Sequence, residues 1–231
     1  MASIDSFAGT ALACRRGERP VFAGLDFAIA SGGAITLTGA NGSGKSSLLR
    51  LMAGLLPPVG GRLTWNGAPI GDEPDRHRQR IAYLGHMPAA KPLLTPREDL
   101  DFWVRYRAPS LGRAAITLRV EDSLAWSGLA ALGDVPARFL SAGQRQRLAL
   151  ARLSAHPTAV LWLLDEPATG LDQAGIAALE GRIAAHRAQG GMVIAATHHT
   201  LALPQAQSLE LGPFARRRGE LAFEFRLDAV A

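Results

Sequence analysis

Gly39-Ala40-Asn41-Gly42-Ser43-Gly44-Lys45-Ser46 is the stretch on which the fold turns. It satisfies G-x-x-x-x-G-K-[ST] at every fixed position, with an apolar strand pattern from Ala34 to Thr38 before it and a helical pattern from Ser46 to Leu55 after it. The chemistry explains these residue types. Glycines let the backbone curl so that successive N–H groups converge on one anion, and a helix start brings the positive end of its dipole to the same point. Gly39, Ala40, Asn41, Gly42, Ser43, Gly44, Lys45, Ser46 and Ser47 are the expected nucleotide-binding set. Lys45 is placed to reach the outer phosphates and the Ser46 hydroxyl to ligate Mg²⁺. Kinases, GTPases and many ATPases share such a loop, so the reaction is decided elsewhere.

Outward from the loop, strands alternate with helices. Val21 to Ile29 reads as the first strand, Ser31-Gly32-Gly33 as a turn, Pro57-Pro58 as the stop of the loop's helix, and Arg62 to Trp65 with Asn66-Gly67 as a strand and turn. Ile81 to Leu84, Val160 to Leu164 and Met192 to Thr197 read as further strands, Gly143 to Ala155 and Asp172 to Gln189 as helices, and Leu209 to Asp228 as a final strand or two. Between Pro96 and Ala137 aromatic and charged residues recur at helical spacing, the mark of a helical insertion. The alternation implies an α/β fold with a mostly parallel sheet.

Composition narrows the class. The chain has 231 residues, 48% hydrophobic and 19% charged, enough apolar surface for a core. One cysteine, Cys14, leaves no intrachain disulfide and favours a reducing compartment. No apolar run approaches a membrane span, and Met1 to Thr10 lacks the layout of a signal peptide. Net charge is +5, carried by 23 arginines and only two lysines, one of them Lys45. The basic balance invites an anionic ligand, a membrane surface or another subunit as partner, against the plainer reading of an arginine-biased surface.

Four further segments choose the reaction. Val160-Leu161-Trp162-Leu163-Leu164-Asp165-Glu166 is a buried strand ending in two acids, where the Asp can support Mg²⁺ and the Glu can polarise a water. Leu140-Ser141-Ala142-Gly143-Gln144, followed by Arg145-Gln146-Arg147-Leu148-Ala149, is similar to the LSGGQ signature and helix of ATP-binding-cassette (ABC) ATPases, with Ala142 in place of a glycine. Pro167-Ala168-Thr169-Gly170-Leu171-Asp172 resembles that family's D-loop, and Thr197-His198 its switch histidine. The motifs run in the family's order and the resemblance covers essentially the whole chain.

The resemblance implies a single ABC nucleotide-binding domain over 1–231: a P-loop NTPase with an antiparallel β part and a helical subdomain at about 96–152. It implies ATP and Mg²⁺, with Ser46 and Asp165 at the metal. It makes Glu166, His198 and Lys45 the catalytic residues, His198 being favoured over its neighbour His199 because it directly follows the Thr. It implies a head-to-tail homodimer in which Ser141, Gly143 and Gln144 of each copy close on the other's ATP, so that a lone domain hydrolyses poorly.

Two positions depart from the family's pattern. Arg16 stands where an aromatic residue stacks on adenine, and a guanidinium can stack there instead. His86 or Met87 stands where the mobile loop carries a glutamine. These cues, with Leu12 to Arg19, Leu100-Asp101-Phe102-Trp103 and the alanine-bearing signature, resemble the haem-exporter ATPase subunit of bacterial cytochrome c maturation. That likeness implies integral membrane partners, contact with haem only indirectly, no nucleic acid, and a peripheral place on the cytoplasmic face of the inner membrane. The role implied is powering haem export or release of a haem-loaded chaperone. An ABC ATPase for another substrate, a soluble one acting on nucleic acid, and a nucleotide-binding regulatory module stay open beside it. Phe102, Trp103 and Tyr106 are candidates for the membrane partner or for the insertion's own core, and Arg216 to Arg218 for anionic lipid or a solvated face.

Overall fold

Eleven residues with little outward sign of a strand open the first sheet. In the computed structural model, which describes residues 5–86, 90–156, 158–198 and 201–215, β1 (Ser6–Arg16) pairs antiparallel with β2 (Arg19–Ala30) and with β4 (Gly60–Trp65). Leu12 to Arg16 therefore belongs to a strand, whereas the sequence pattern starts the strands at Val21. The reason is a bulge. The pairing slips between Gly9 and Leu12, Ala11 turns to φ 50°, and its N–H donates to Asp26 Oδ1 at 2.7 Å. The inside–outside alternation breaks mid-strand, so no period of two survives in the sequence. β5 (Ala68–Pro69) completes the order β2-β1-β4-β5.

The second sheet is wholly parallel. Its strands are β3 (Ala34–Thr38), β6 (Ile81–Leu84), β7 (Leu161–Asp165), β8 (Met192–Ala196) and β9 (Gln207–Glu210), in the order β6-β7-β8-β3-β9. Every residue of β7 and β8 is buried, as continuous apolar runs in a sheet covered on both faces should be. β9 begins earlier than the pattern from Leu209 suggests and ends at Glu210; Gly212–Phe214 form a 3-10 turn instead of continuing the strand, the Phe214 N–H donating to the Leu211 carbonyl at 3.1 Å, and residues 216–228 of the pattern, with Arg216 to Arg218, lie outside the described residues.

The helices are α1 (Lys45–Met52), α2 (Pro74–Arg80), α3 (Pro96–Arg107), α4 (Arg113–Trp126), α5 (Ala142–Ala155) and α6 (Gln173–Ala188). α1 stops short of Leu55. The Gly54 N–H bonds to the Leu51 carbonyl at 3.0 Å and the Leu55 N–H to the Arg50 carbonyl at 2.9 Å, closing the helix before Pro57 is reached. α2 has no apolar stripe to announce it: of Pro-Asp-Arg-His-Arg-Gln-Arg only His77 is buried.

Three clusters hold these layers. Leu48, Leu49, Leu51 and Met52 of α1 are fully buried between Phe7, Phe22 and Leu25 of the antiparallel sheet and Leu163 and Ile194 of the parallel one. Each such side chain contributes about 1.5–3 kcal/mol, so α1 fastens the two sheets together. On the opposite face, Leu150 and Leu153 of α5 and Leu179 and Ile183 of α6 pack on Trp162, Leu164 and Val193. The other side of α5 (Leu148, Ala151, Ala155) joins Leu100, Val104, Ile116, Val120 and Leu124 in a third cluster. Arg152 of α5 grips Asp99 of α3 through two bonds of 2.6 and 2.7 Å. Breaking such a buried, forked pair costs about 3–5 kcal/mol.

His156, at the C-terminal cap of α5, is buried. Burial, and then the charge of Arg107, lower its pKa from 6.5 to about 4. The folded chain keeps this ring neutral while the unfolded chain protonates it below 6.5, so its contribution is complete above that pH and is lost as pH falls towards 4. Burial lowers His77 and His186 in the same sense. Urea midpoints are expected to fall between pH 7 and pH 5, His156 alone accounting for about 2 kcal/mol. His156→Leu is expected to flatten that dependence.

Candidate nucleotide site

The cradle grows from the end of β3. After Thr38 the chain turns at Gly39, the Ser43 N–H bonds back to the Ala40 carbonyl at 3.1 Å, and the first helical bond of α1 runs from the Leu48 N–H to the Gly44 carbonyl at 2.8 Å. Gly44 cannot be replaced without disturbance. Its φ is 108°, and a Cβ there would lie 2.6 Å from Val21 Cγ1 and 3.1 Å from the Phe22 ring. The β1–β2 hairpin is thus seated on the loop where α1 begins. Lys45 is buried, and its Nζ donates to the Gly39 and Ala40 carbonyls at 2.7 and 3.2 Å. Its charge is thereby held along the inner edge of the loop. Asn41 and Gly42 are exposed at the loop's tip, and the Ser43 hydroxyl is buried with no protein partner.

The carboxylates come from the end of β7. Asp165 is 3% exposed. Its Oδ1 accepts from the Ser46 hydroxyl at 3.1 Å, and its Oδ2 is buried without a protein partner. Glu166 turns sharply, at φ 52°. Its N–H donates to the Ala196 carbonyl at 2.8 Å, and its Oε2 accepts from the His198 N–H at 3.1 Å. The His198 ring Nε2 lies 3.6 Å from Glu166 Oε1. A non-glycine residue held at positive φ costs about 1–3 kcal/mol and persists where its surroundings over-determine it. His199 lies outside the described residues.

A cavity of about 680 Å³ brings these groups together: Lys45, Ser46, Ser47, Asp165, Glu166 and His198, with Asn41 and Gly42 of the loop and Arg16, Arg19 and His86 around them. Of the two residues weighed for the mobile loop, His86 faces the cavity, and Met87 lies outside the described residues. Ser46 and Asp165 suit a hard cation: both present oxygens, and one carboxylate oxygen has no other partner. Among the described residues no three His, Cys, Asp or Glu side chains cluster for a metal. A magnesium ion here would draw its other ligands from phosphate and water, its ordinary habit.

Ser141, Gly143 and Gln144 do not line this cavity. They form the start of α5, where the Ser141 hydroxyl accepts from the Gln144 N–H at 3.2 Å and the Ser141 N–H donates to Gln144 Oε1 at 2.7 Å. This capping box leaves Ala142 and Gly143 as the helix start's free donors, and Ser141 and Ala142 are exposed. The Cα of Gly143 faces the Gly170 carbonyl so closely that a Cβ would sit 2.9 Å from it.

Sequence reasoning passed over the residues that tie this helix start to the loop after the carboxylates. Gln146 Nε2 donates to the Pro167 carbonyl at 3.3 Å, and Arg147 Nη2 to Asp172 Oδ1 at 2.6 Å. Asp172 also caps α6 through the Gly175 N–H at 2.9 Å, and this bond, followed by the Arg147 charge, lowers its carboxyl pKa. No spacing signal marked them, because Gln146 and Arg147 stand in a polar first half of α5 beside Gln144 and Arg145.

A phosphate loop after one parallel strand, an Asp-Glu pair after the next but one, and an outward serine-capped helix between them in sequence define a nucleotide-binding subunit of the ABC type. Residues 22–169 match the family model described as ABC transporter. The cytochrome c biogenesis ATP-binding export protein CcmA of Paramagnetospirillum magneticum is 50% identical over 213 residues, 92% of this chain and 97% of that protein. CcmA of Rhodospirillum rubrum is 53% identical over 209 residues, 90% of this chain and 87% of its own. A solved ATP-binding subunit of an ABC transporter superposes with a TM-score of 0.74 at 26% identity, covering 83% of this chain and 79% of that one. The chain belongs to the ABC transporter family and, within it, to the cytochrome c biogenesis ATP-binding export proteins.

Gly44→Ala is expected to weaken ATP binding at least about tenfold, through backbone strain and displacement of the hairpin. Titration with a fluorescent ATP analogue reads this, with far-UV circular dichroism held as the check on folding.

Proposed function

We propose that this chain is the ATP-hydrolysing subunit of a membrane-bound ABC complex in cytochrome c biogenesis. The observation that carries the hydrolytic part is Glu166, pinned at φ 52° beside the Ser46–Asp165 pair with both its oxygens turned to His198. The relatives' role in cytochrome c biogenesis supports the rest.

In this reading the loop amides and the α1 N-terminus receive the β- and γ-phosphates, and Lys45 exchanges its two carbonyl partners for phosphate oxygens. Ser46 and Asp165 would hold Mg²⁺, which supplies neutralisation of the phosphate charge when bound. A water oxygen attacks the γ-phosphorus, its bond to the β–γ bridging oxygen breaks, and the water's proton passes to the Glu166 carboxylate. ADP and phosphate leave. His198 holds Glu166 in place through its N–H and reaches the γ-phosphate side with its ring. Arg16 lies at the nucleoside end.

The domain is read as one ABC nucleotide-binding unit, with α3, α4 and α5 as its helical subdomain. The α5 start is free for a second copy, whose cradle would receive the Ala142 and Gly143 N–H groups and the Ser141 hydroxyl, so the working form is a head-to-tail homodimer. Among the described residues no helix is long and apolar enough to cross a membrane; in this reading, which the relatives' role as export proteins supports, the complex has integral membrane partners. An apolar cavity of about 300 Å³ between the end of β6 and α3 and α5, lined by Leu84, Trp103 and Leu153, supports their docking there. Beside it Phe102 and Tyr106 stack with 44% and 64% of their surfaces exposed. The chain is placed on the cytoplasmic face of the inner membrane, where hydrolysis powers haem export or release of a haem-loaded chaperone.

Glu166→Gln is expected to cut steady-state ATP turnover of the assembled complex about 10²–10³-fold, while ATP still drives dimer formation, seen as a doubled mass by light scattering. Turnover within threefold of the parent would overturn the assignment of Glu166. Failure of the tagged chain to co-purify with integral membrane proteins would overturn the transporter reading.

A further inference from the structure

A polar nook lies beside the Ser46–Asp165 pair, between α1 and the edge of the parallel sheet. Ser46 and Arg50 stand one turn apart on α1, so their side chains leave the same side of the helix. Opposite them the β6–β7 ladder pairs Tyr83 with Leu163 and Leu84 with Leu164, and its next step sets Gly85 beside Asp165. Tyr83, like Leu163, packs on the α1 side of the sheet. Its ring leans along the strand over the bare Cα of Gly85, where a Cβ would lie 3.3 Å from the hydroxyl. The hydroxyl is thereby carried towards the strand end from which Asp165 emerges. It is buried with no hydrogen-bond partner, and Asp165 Oδ2 is buried in the same condition. Burial holds the phenol above its ordinary pKa; the Arg50 guanidinium facing it pulls the other way, and the Asp165 charge adds to the rise. At neutral pH the group is therefore an uncharged donor.

A carboxylate that serves a cation needs its own orientation fixed. Asp165 is held by the Ser46 hydroxyl alone, and that hydroxyl is itself assigned to the cation. The terminal torsion of an aspartate is soft, so one tether leaves the carboxylate free to turn. An O–H donor on its other side removes that freedom. Two buried polar atoms without partners, one a donor and one an acceptor at the same strand end, are matched in kind. We propose that Tyr83 is a positioning residue of the cation site, whose hydroxyl donates to the Asp165 carboxylate, directly or through one water, when the cation is bound. The inference rests on the reading of Ser46 and Asp165 as a cation site and adds the group that orients it. Tyr83 also lines the apolar cavity between the end of β6 and α3 and α5; a role in that wall alone would leave Mg²⁺ binding untouched.

Titration of Mg²⁺ into the full chain holding a fluorescent ATP analogue tests it, beside titration of the analogue itself in EDTA. Tyr83→Phe removes a single oxygen. It is expected to raise the Mg²⁺ midpoint about tenfold and to move metal-free binding of the analogue less than about twofold. On an Asp165→Asn background the same change is expected to raise the midpoint less than about twofold, since a positioning residue acts only through the group it positions. A midpoint for Tyr83→Phe within about twofold of the parent's would overturn the proposal. So would an equal loss with and without Mg²⁺, or the full loss repeated on the Asp165→Asn background; either marks Tyr83 as a packing residue. If binding of the analogue to the parent does not respond to Mg²⁺ at all, the cation reading of Ser46 and Asp165 fails and takes this proposal with it. Failure of the Tyr83 assignment alone leaves the parent's response to Mg²⁺ intact.

Discussion

The hydrogen-bond ladder joining β3, β8 and β7 sets the spacing of the whole nucleotide site. Leu37 and Asp165 both register against Ala196, one from each side. Parallel strands lie about 4.8 Å apart, so the phosphate loop, the carboxylates and the histidine leave the sheet at one end within the reach of a single small molecule. Ligands sit at the carboxyl ends of such strands because every loop there can contribute a group. Here the arrangement is held to hydrogen-bond tolerance. Ser46 on α1 meets Asp165 on β7, and Glu166 is tied by its N–H to the last residue of β8.

The same economy governs α1. Its N-terminus belongs to the anion cradle, while its apolar residues fasten the antiparallel sheet to the parallel one. A change that loosens the core under Leu48 or Leu49 would also move the helix start, so stability and phosphate binding share one element. α5 repeats the pattern on the other side. One flank packs on the parallel sheet and the other on α3 and α4, while its start is braced on the D-loop by Gln146, Arg147 and the close approach of Gly143 to Gly170. The α5 start and the 167–172 loop are therefore one mechanical piece.

What could be read beforehand was whatever local chemistry dictates. The phosphate loop was legible because glycine, lysine and hydroxyl are each demanded by the backbone path at their own position. β7 and β8 were legible because burial on both faces leaves an unbroken apolar run. β1 was illegible because the bulge at Ala11 breaks its alternation, and α2 because a helix that buries only His77 carries no apolar stripe. The capping box at Ser141 could be seen from Ser and Gln three residues apart, but the partners of Arg147 and Gln146 could not. Those bonds join segments 21 and 25 residues apart, and no local pattern encodes such a meeting.

Glu166 sits in a left-handed backbone geometry that glycine or asparagine would adopt with less resistance. The residue proposed to take the water's proton is thus one the fold would rather not have there. Variants that abolish turnover by replacing it with glycine should melt at a higher temperature than the parent, a trade of robustness for reactivity at a single position. For this chain, a raised melting point at that site would be a symptom of lost activity.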